Sequence, residues 1–233
     1  MNKKTRAKIC LILPFLAVEC VLFALFLAED FAGASVGDNV ALKYATVMFA
    51  MLFATVSFAL FDRRDFQDGL MLVVALALTL VADLFLLVLD DFYIVGVIVF
   101  IGAQICHFAR IKRNKVWWIA SISARVLLAV VVIIVLAALG ELDALYAFVA
   151  IYFVQLVGNF VENVVLAVLA KDRGARAQAI VLFVGFLLFI GCDISVGLAN
   201  LYGVAGEFEW LFYTPSQVLI ALSLGRMYET ENN

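Results

Sequence analysis

Two aspartates stand where hydrocarbon side chains would be expected. Asp83 lies inside LTLVADLFLLVLDDFY, and Asp193 lies inside VLFVGFLLFIGCDISVGLANLY. An ionised carboxylate at the centre of a membrane helix costs about 2.5–3.5 kcal/mol on insertion scales. Such residues face a bundle interior and mark function. Burial and mutual repulsion work against ionising both members of a carboxylate pair in one low-dielectric pocket. One member then serves as a general acid and the other as a base. That division of labour suits acid-catalysed hydrolysis of an ether or acetal-like bond. It suits proton-coupled transport equally well, and the residues alone do not choose.

Other polar residues interrupt the apolar runs. Lys43, Gln217 and Asn200 are placed by their helix positions at a depth similar to the two aspartates. Asn200 follows Asp193 by seven residues, on the same helix face. Gln104 precedes His107 by three, also on one face. In YAFVAIYFVQLVGNFVENVVLAV, residues Gln155, Asn159, Glu162 and Asn163 fall on one stripe and are expected to line a cavity or to join helices. Pro215, two residues before Gln217, is expected to kink its helix and aim Tyr213 and Gln217 inward.

The elements that position these residues follow from composition. Of 233 residues, 67% are hydrophobic and 15% charged, and the mean hydropathy is +1.12. A soluble domain averages about 45–50% apolar and about 25% charged. The sequence therefore predicts an all-α polytopic membrane bundle, a single integral membrane domain over residues 1–233. Eight spans are expected, near 8–28, 40–61, 69–89, 92–111, 116–139, 144–170, 177–201 and 209–228. The basic start of the first resembles a signal peptide but lacks a small-residue cleavage site, so a retained helix is expected.

Charge alternates between connections. Lys3, Lys4, Arg6 and Lys8 precede the first span. Arg63 and Arg64 follow the second, Arg110, Lys112, Arg113 and Lys115 mark the fourth connection, Lys171, Arg173 and Arg176 the sixth, and Arg226 follows the last. The odd connections carry acids: Glu29, Asp30 and Asp38, then Asp90 and Asp91, then Glu141 and Asp143, then Glu207 and Glu209. This predicts both termini on the cytoplasmic side. No basic patch interleaved with aromatics points to nucleic acid. The scattered Cys10, Cys20, Cys106 and Cys192, with one histidine, give no metal-site spacing. A spacing of 110 residues separates both Asp83 from Asp193 and His107 from Gln217. It raises an internal repeat of helices one to four in helices five to eight.

The stretches LVADLFLLVLDDFYIVGVIVFIGAQICHFARI, FLLFIGCDISVGLANLY and FYTPSQVLI, taken in order, resemble the YhhN family of membrane lysoplasmalogenases over roughly residues 40–225. Asp83 matches an aspartate of a Gly-Asp pair, with Ala82 in the glycine's place. His107 matches a histidine on the fourth helix. Cys192-Asp193 matches a Ser-Asp pair, with Asn200 after it. Tyr213 and Gln217 match a Tyr-x-x-x-Gln pattern. Lys43 matches a lysine usually followed by proline, where Tyr44 stands. The resemblance implies hydrolysis of the vinyl ether bond of a lysoplasmalogen by Asp83 and Asp193. Lys43, His107, Asn200, Tyr213 and Gln217 would orient them or bind substrate. No cofactor or metal is implied. The partners it implies are a lysophospholipid substrate and membrane lipid; the charge pattern and short termini lead us to expect a bacterial cytoplasmic membrane. The runner-up is a proton-coupled transporter or a non-catalytic lysolipid-binding protein.

Overall fold

A computed structural model describes residues 3–32, 39–61, 66–111, 114–203 and 207–224. Arg63, Arg64, Asp38, Lys112, Arg113 and Arg226 of the charge pattern lie outside the described residues, as does the expected end of the last helix beyond 224. The side chains of Lys3, Lys4 and Glu207 lie outside them too.

The described residues form eight α-helices and no strand. They are α1 Lys3–Ala32, α2 Asn39–Phe61, α3 Phe66–Asp83, α4 Tyr93–Arg110, α5 Lys115–Leu139, α6 Ala144–Leu169, α7 Arg173–Tyr202 and α8 Glu207–Leu222. A π-helical turn, Leu84–Val88, continues α3. The first seven helices are long and apolar enough to cross a membrane. The chain is an integral membrane protein. With 16 residues, α8 is only about 24 Å long at 1.5 Å per residue.

Side-chain caps start the later helices. Asn114 accepts from the Trp117 amide at 2.8 Å, Asp143 from Tyr146 at 2.7 Å, and Asp172 from Ala175 at 2.7 Å. Each satisfies an amide that the helix leaves without a carbonyl. Gly140 (φ 77°) and Gly203 (φ 63°) end α5 and α7 in the left-handed conformation that a side chain would strain.

The principal helix contacts close a ring. α2 packs on α3, α3 on α4, α4 on α6, α6 on α7, α7 on α8, and α8 returns to α2. Two helices stand outside it: α1 leans on α2 and α8, and α5 leans on α6. The packing order of α1–α4 is thus repeated by α5–α8, the arrangement that an internal repeat requires. The two most extensive contacts, α3 with α4 and α7 with α8, occupy equivalent places. Small residues permit close approach. A Cβ on Gly185 would stand 3.4 Å from the Ser216 carbonyl oxygen, and one on Gly96 would stand 2.6 Å from Leu86 Cγ.

Candidate functional site

Asp83 is the last residue of α3, and the π turn begins at the next position. The amide of Leu89 reaches the Leu84 carbonyl at 2.9 Å, five residues back rather than four. Such turns recur at functional sites because they re-aim a side chain at a backbone cost. The connection that follows is held tightly. Asp90 and Phe92 adopt positive φ, 49° and 56°. The Tyr93 hydroxyl donates to Asp90 Oδ1 at 2.5 Å.

Inside the ring, the Tyr213 hydroxyl of α8 lies 2.8 and 2.7 Å from the two carboxylate oxygens of Asp83. Both residues are buried, Asp83 at 5% exposure and Tyr213 at 4%. Asp193 of α7 is faced by a second tyrosine, Tyr152 of α6. This second pair is looser: Tyr152 faces Asp193, but neither its Oη nor Asp193 Oδ2 closes a contact as short and well aligned as those of Tyr213 on Asp83. Phe189 stands between the two tyrosines, its ring centroid 5.3 Å from Tyr213 and 6.4 Å from Tyr152. Phe100 of α4 completes the cluster, 5.8 Å from Phe189 and 5.6 Å from Tyr152. Cys192 and Tyr152 lie within electrostatic reach of both aspartates. The arrangement is two carboxyl groups, each with its own phenol, across a wall of aromatic rings.

The other expected site residues divide. Tyr213 meets Asp83, while Asp193 faces Tyr152 instead. Gln217 lies one turn beyond Tyr213 on α8 and is 2% exposed. Lys43 does not reach the aspartates. It pairs with Asp30 at 3.0 Å, between the rings of Phe26 and Trp210 at 5.9 and 5.6 Å. Asp30 also accepts from Asn39 at 2.6 Å. An acid at the end of α1 meets this lysine before either intramembrane aspartate does. Asn200 shares a helix stripe with Asp193 but is exposed near the end of α7. Its face has left the neighbouring helices by that level, so it stands apart from the cluster.

His107 is buried against Phe186, edge to face at 5.3 Å, and its Nδ1 has no hydrogen-bond partner among the described residues. Gln104 belongs to a network with the α6 stripe. Asn159 Nδ2 donates to Gln104 Oε1 and to its carbonyl, both at 2.9 Å. Asn163 donates to the Asn159 carbonyl at 2.8 Å. Arg125 of α5 anchors the rest: it donates to Gln155 Oε1 at 2.7 Å and Asn159 Oδ1 at 3.1 Å, and pairs with Glu162 at 3.1 Å. Ser121 donates to Glu162. The stripe is therefore mainly an interhelical clamp. Glu162 and Arg125 also border a cleft of about 550 Å³ between α5 and α6 that holds none of the aspartate cluster.

Four participants escaped the sequence reading. Tyr152 gave no signal, because a tyrosine in an apolar run is ordinary. Arg125 and Glu19 carried the same signal as Asp83, a charge inside an apolar segment. Asp68 was passed over at a helix start. It pairs with Arg110 at 2.8 Å, and Arg110 also reaches Ser223. Arg110, placed among the loop cations by the sequence, is buried at 6% exposure by this pair.

A family model described as the YhhN family matches residues 38–224. The chain belongs to the YhhN family. The matched YhhN region holds α2 to α8 and every residue of the aspartate cluster, and leaves α1 outside. No curated protein and no solved structure matches the chain.

Proposed function

We propose that this YhhN protein hydrolyses the vinyl ether bond of a lysoplasmalogen, with Asp83 and Asp193 as its acid–base pair. One observation carries the reading: two carboxyl groups inside the ring, each facing a buried phenol across Phe189. Vinyl ether cleavage needs a proton delivered to carbon and a water directed at the cation that results.

The acid protonates the alkenyl carbon remote from oxygen, leaving an oxocarbenium ion. The other carboxylate takes a proton from water as its oxygen bonds to the cationic carbon. The hemiacetal then collapses. Its hydroxyl proton returns to the first carboxylate, the second carboxyl protonates the glycerol oxygen, and the C–O bond breaks. A fatty aldehyde and a glycerophospho-base leave, and both carboxyl groups are reset. The rings of Phe189, Phe100 and Tyr152 supply negative π faces for the transient cation. The Tyr213 hydroxyl fixes the Asp83 carboxyl at the head of the π turn.

The chain acts from a bacterial cytoplasmic membrane with both termini inside, the arrangement that the alternating loop charge favours. The test is aldehyde release from lysoplasmalogen by purified protein in detergent, beside Asp83→Asn and Asp193→Asn. Turnover by the wild type and its loss in each folded variant is the expected result. Full turnover in both variants ends the assignment. Accumulation of lipid in proteoliposomes without aldehyde moves the site to transport.

A further inference from the structure

Glu19 is a third carboxyl group buried in the bundle, and the acid–base pair does not use it. It lies midway along α1, is 3% exposed, and both carboxylate oxygens lack a hydrogen-bond partner among the described residues. Gln217 of α8 is 2% exposed. Its Oε1 has no partner among the described residues, and its Nε2 makes only a 3.4 Å contact with Ser216. A buried polar atom left without a partner costs about 1–3 kcal/mol. Two such groups on contacting helices call for each other.

The register brings them to one level. Phe26 of α1 meets Trp210 of α8 edge to face, with centroids 6.2 Å apart. The two helices run in opposite directions. Seven residues back from Phe26 is Glu19, and seven residues on from Trp210 is Gln217. Seven residues are two helical turns, so both steps cover about 10.5 Å and stay on the contacting faces. The neighbouring helix agrees. Phe15 stacks on Phe53 at 4.1 Å and Asp30 meets Asn39, which sets Glu19 opposite Ala50 of α2, a fully buried residue too small to fill the space. Tyr213, which holds Asp83, lies one turn from Gln217 on the same face of α8.

We infer that Glu19 is a positioning residue: its carboxyl group and the Gln217 amide, unpaired with each other in this structure, meet in a hydrogen bond by side-chain rotation, which fixes α8 against α1 and so holds the Tyr213 hydroxyl on Asp83. α1, which lies outside the matched family region, thereby becomes part of the working site. The effect on turnover rests on the hydrolase reading; the pairing itself does not.

The experiment is a double-mutant cycle in purified detergent-solubilised protein. Glu19→Leu, Gln217→Leu and the double variant are compared by thermal unfolding, with Glu19→Gln as the conservative control. The expected result is non-additivity, the double variant unfolding no earlier than the worse single one. In aldehyde release, Glu19→Leu lowers kcat about tenfold with KM little changed, and Glu19→Gln, which keeps the length and a donor, restores it. Additive unfolding shifts overturn the pairing. Coupled unfolding with an unchanged kcat in Glu19→Leu overturns the positioning role. A wild type that releases no aldehyde removes the hydrolase reading, while the unfolding cycle still decides the pair.

Discussion

At the scale of single residues, what distinguishes Asp83 from Asp193 is the state of the partner phenol. Tyr213 closes two short contacts on Asp83, whereas Tyr152 and Asp193 form a looser pair. Removing only the Tyr213 oxygen tests the closed pair. Tyr213→Phe keeps the ring against Trp210 and Phe189, 5.0 and 5.3 Å away, so the fold survives. A hydrogen bond to a charged group is worth about 1.5–3 kcal/mol, which sets a loss of roughly tenfold to a hundredfold in kcat. Steady-state aldehyde release beside a thermal unfolding curve measures it, and wild-type turnover removes Tyr213 from the mechanism. Both aspartates were legible because a carboxylate inside twenty apolar residues has no cheap structural excuse. Lys43 and Asn200 were misplaced for one reason: helix periodicity fixes a face and a depth, and neither says which neighbour is met first. An acid at the end of α1 took Lys43, and the end of α7 carried Asn200 past its neighbours.

At the scale of elements, Asp83 depends on a turn that the sequence does not announce. Leu84–Val88 reads as five apolar residues, yet it winds as a π turn and packs Leu86 onto Gly96 of α4. A methyl group on Gly96 would come within 2.6 Å of Leu86 Cγ. Gly96→Ala is therefore expected to cost about 1–3 kcal/mol by overpacking and to depress turnover by shifting Asp83. A lowered unfolding temperature with reduced kcat bears this out; an unchanged protein refutes it. The peripheral helix α5 poses a different problem. Among its described residues Arg125 alone is buried, and its guanidinium fits over Gly158, where a Cβ would lie 2.6 Å from Cζ. Breaking a buried pair by removing one partner costs about 3–5 kcal/mol, because a charge is left uncompensated. Glu162→Leu is expected to destabilise by that order, and Arg125→Leu/Glu162→Leu by clearly less. Unfolding in detergent distinguishes them; equal losses would make the pair incidental.

At the scale of the whole molecule, the ring of six helices brings Asp83, from the third helix, and Asp193, from the seventh, into one interior. The contact order α1–α4 and its repetition in α5–α8 give the two aspartates equivalent places. The two outer helices each send in one buried charge, Glu19 and Arg125. The proposed placement of both chain ends on one side requires α8, with its 16 residues, to cross as well as the seven longer helices. Reporter fusions at each end are expected to register the cytoplasm, and opposite signals would exclude α8 as a crossing.

The sequence by itself determined the class of the molecule, the approximate span of each helix, the family likeness and the two carboxyl groups. These depend on local quantities: runs of apolar residues, the cost of a charge among them, and the order of short motifs. Tertiary structure alone decided which helices close the ring. It also decided that Tyr152 joins Tyr213 in facing the aspartates, that the α6 stripe serves Arg125, and that Lys43 stays outside. Those outcomes depend on which faces meet across long separations in the chain. An all-apolar helix surface leaves that choice to packing shape, which no local pattern of residues encodes.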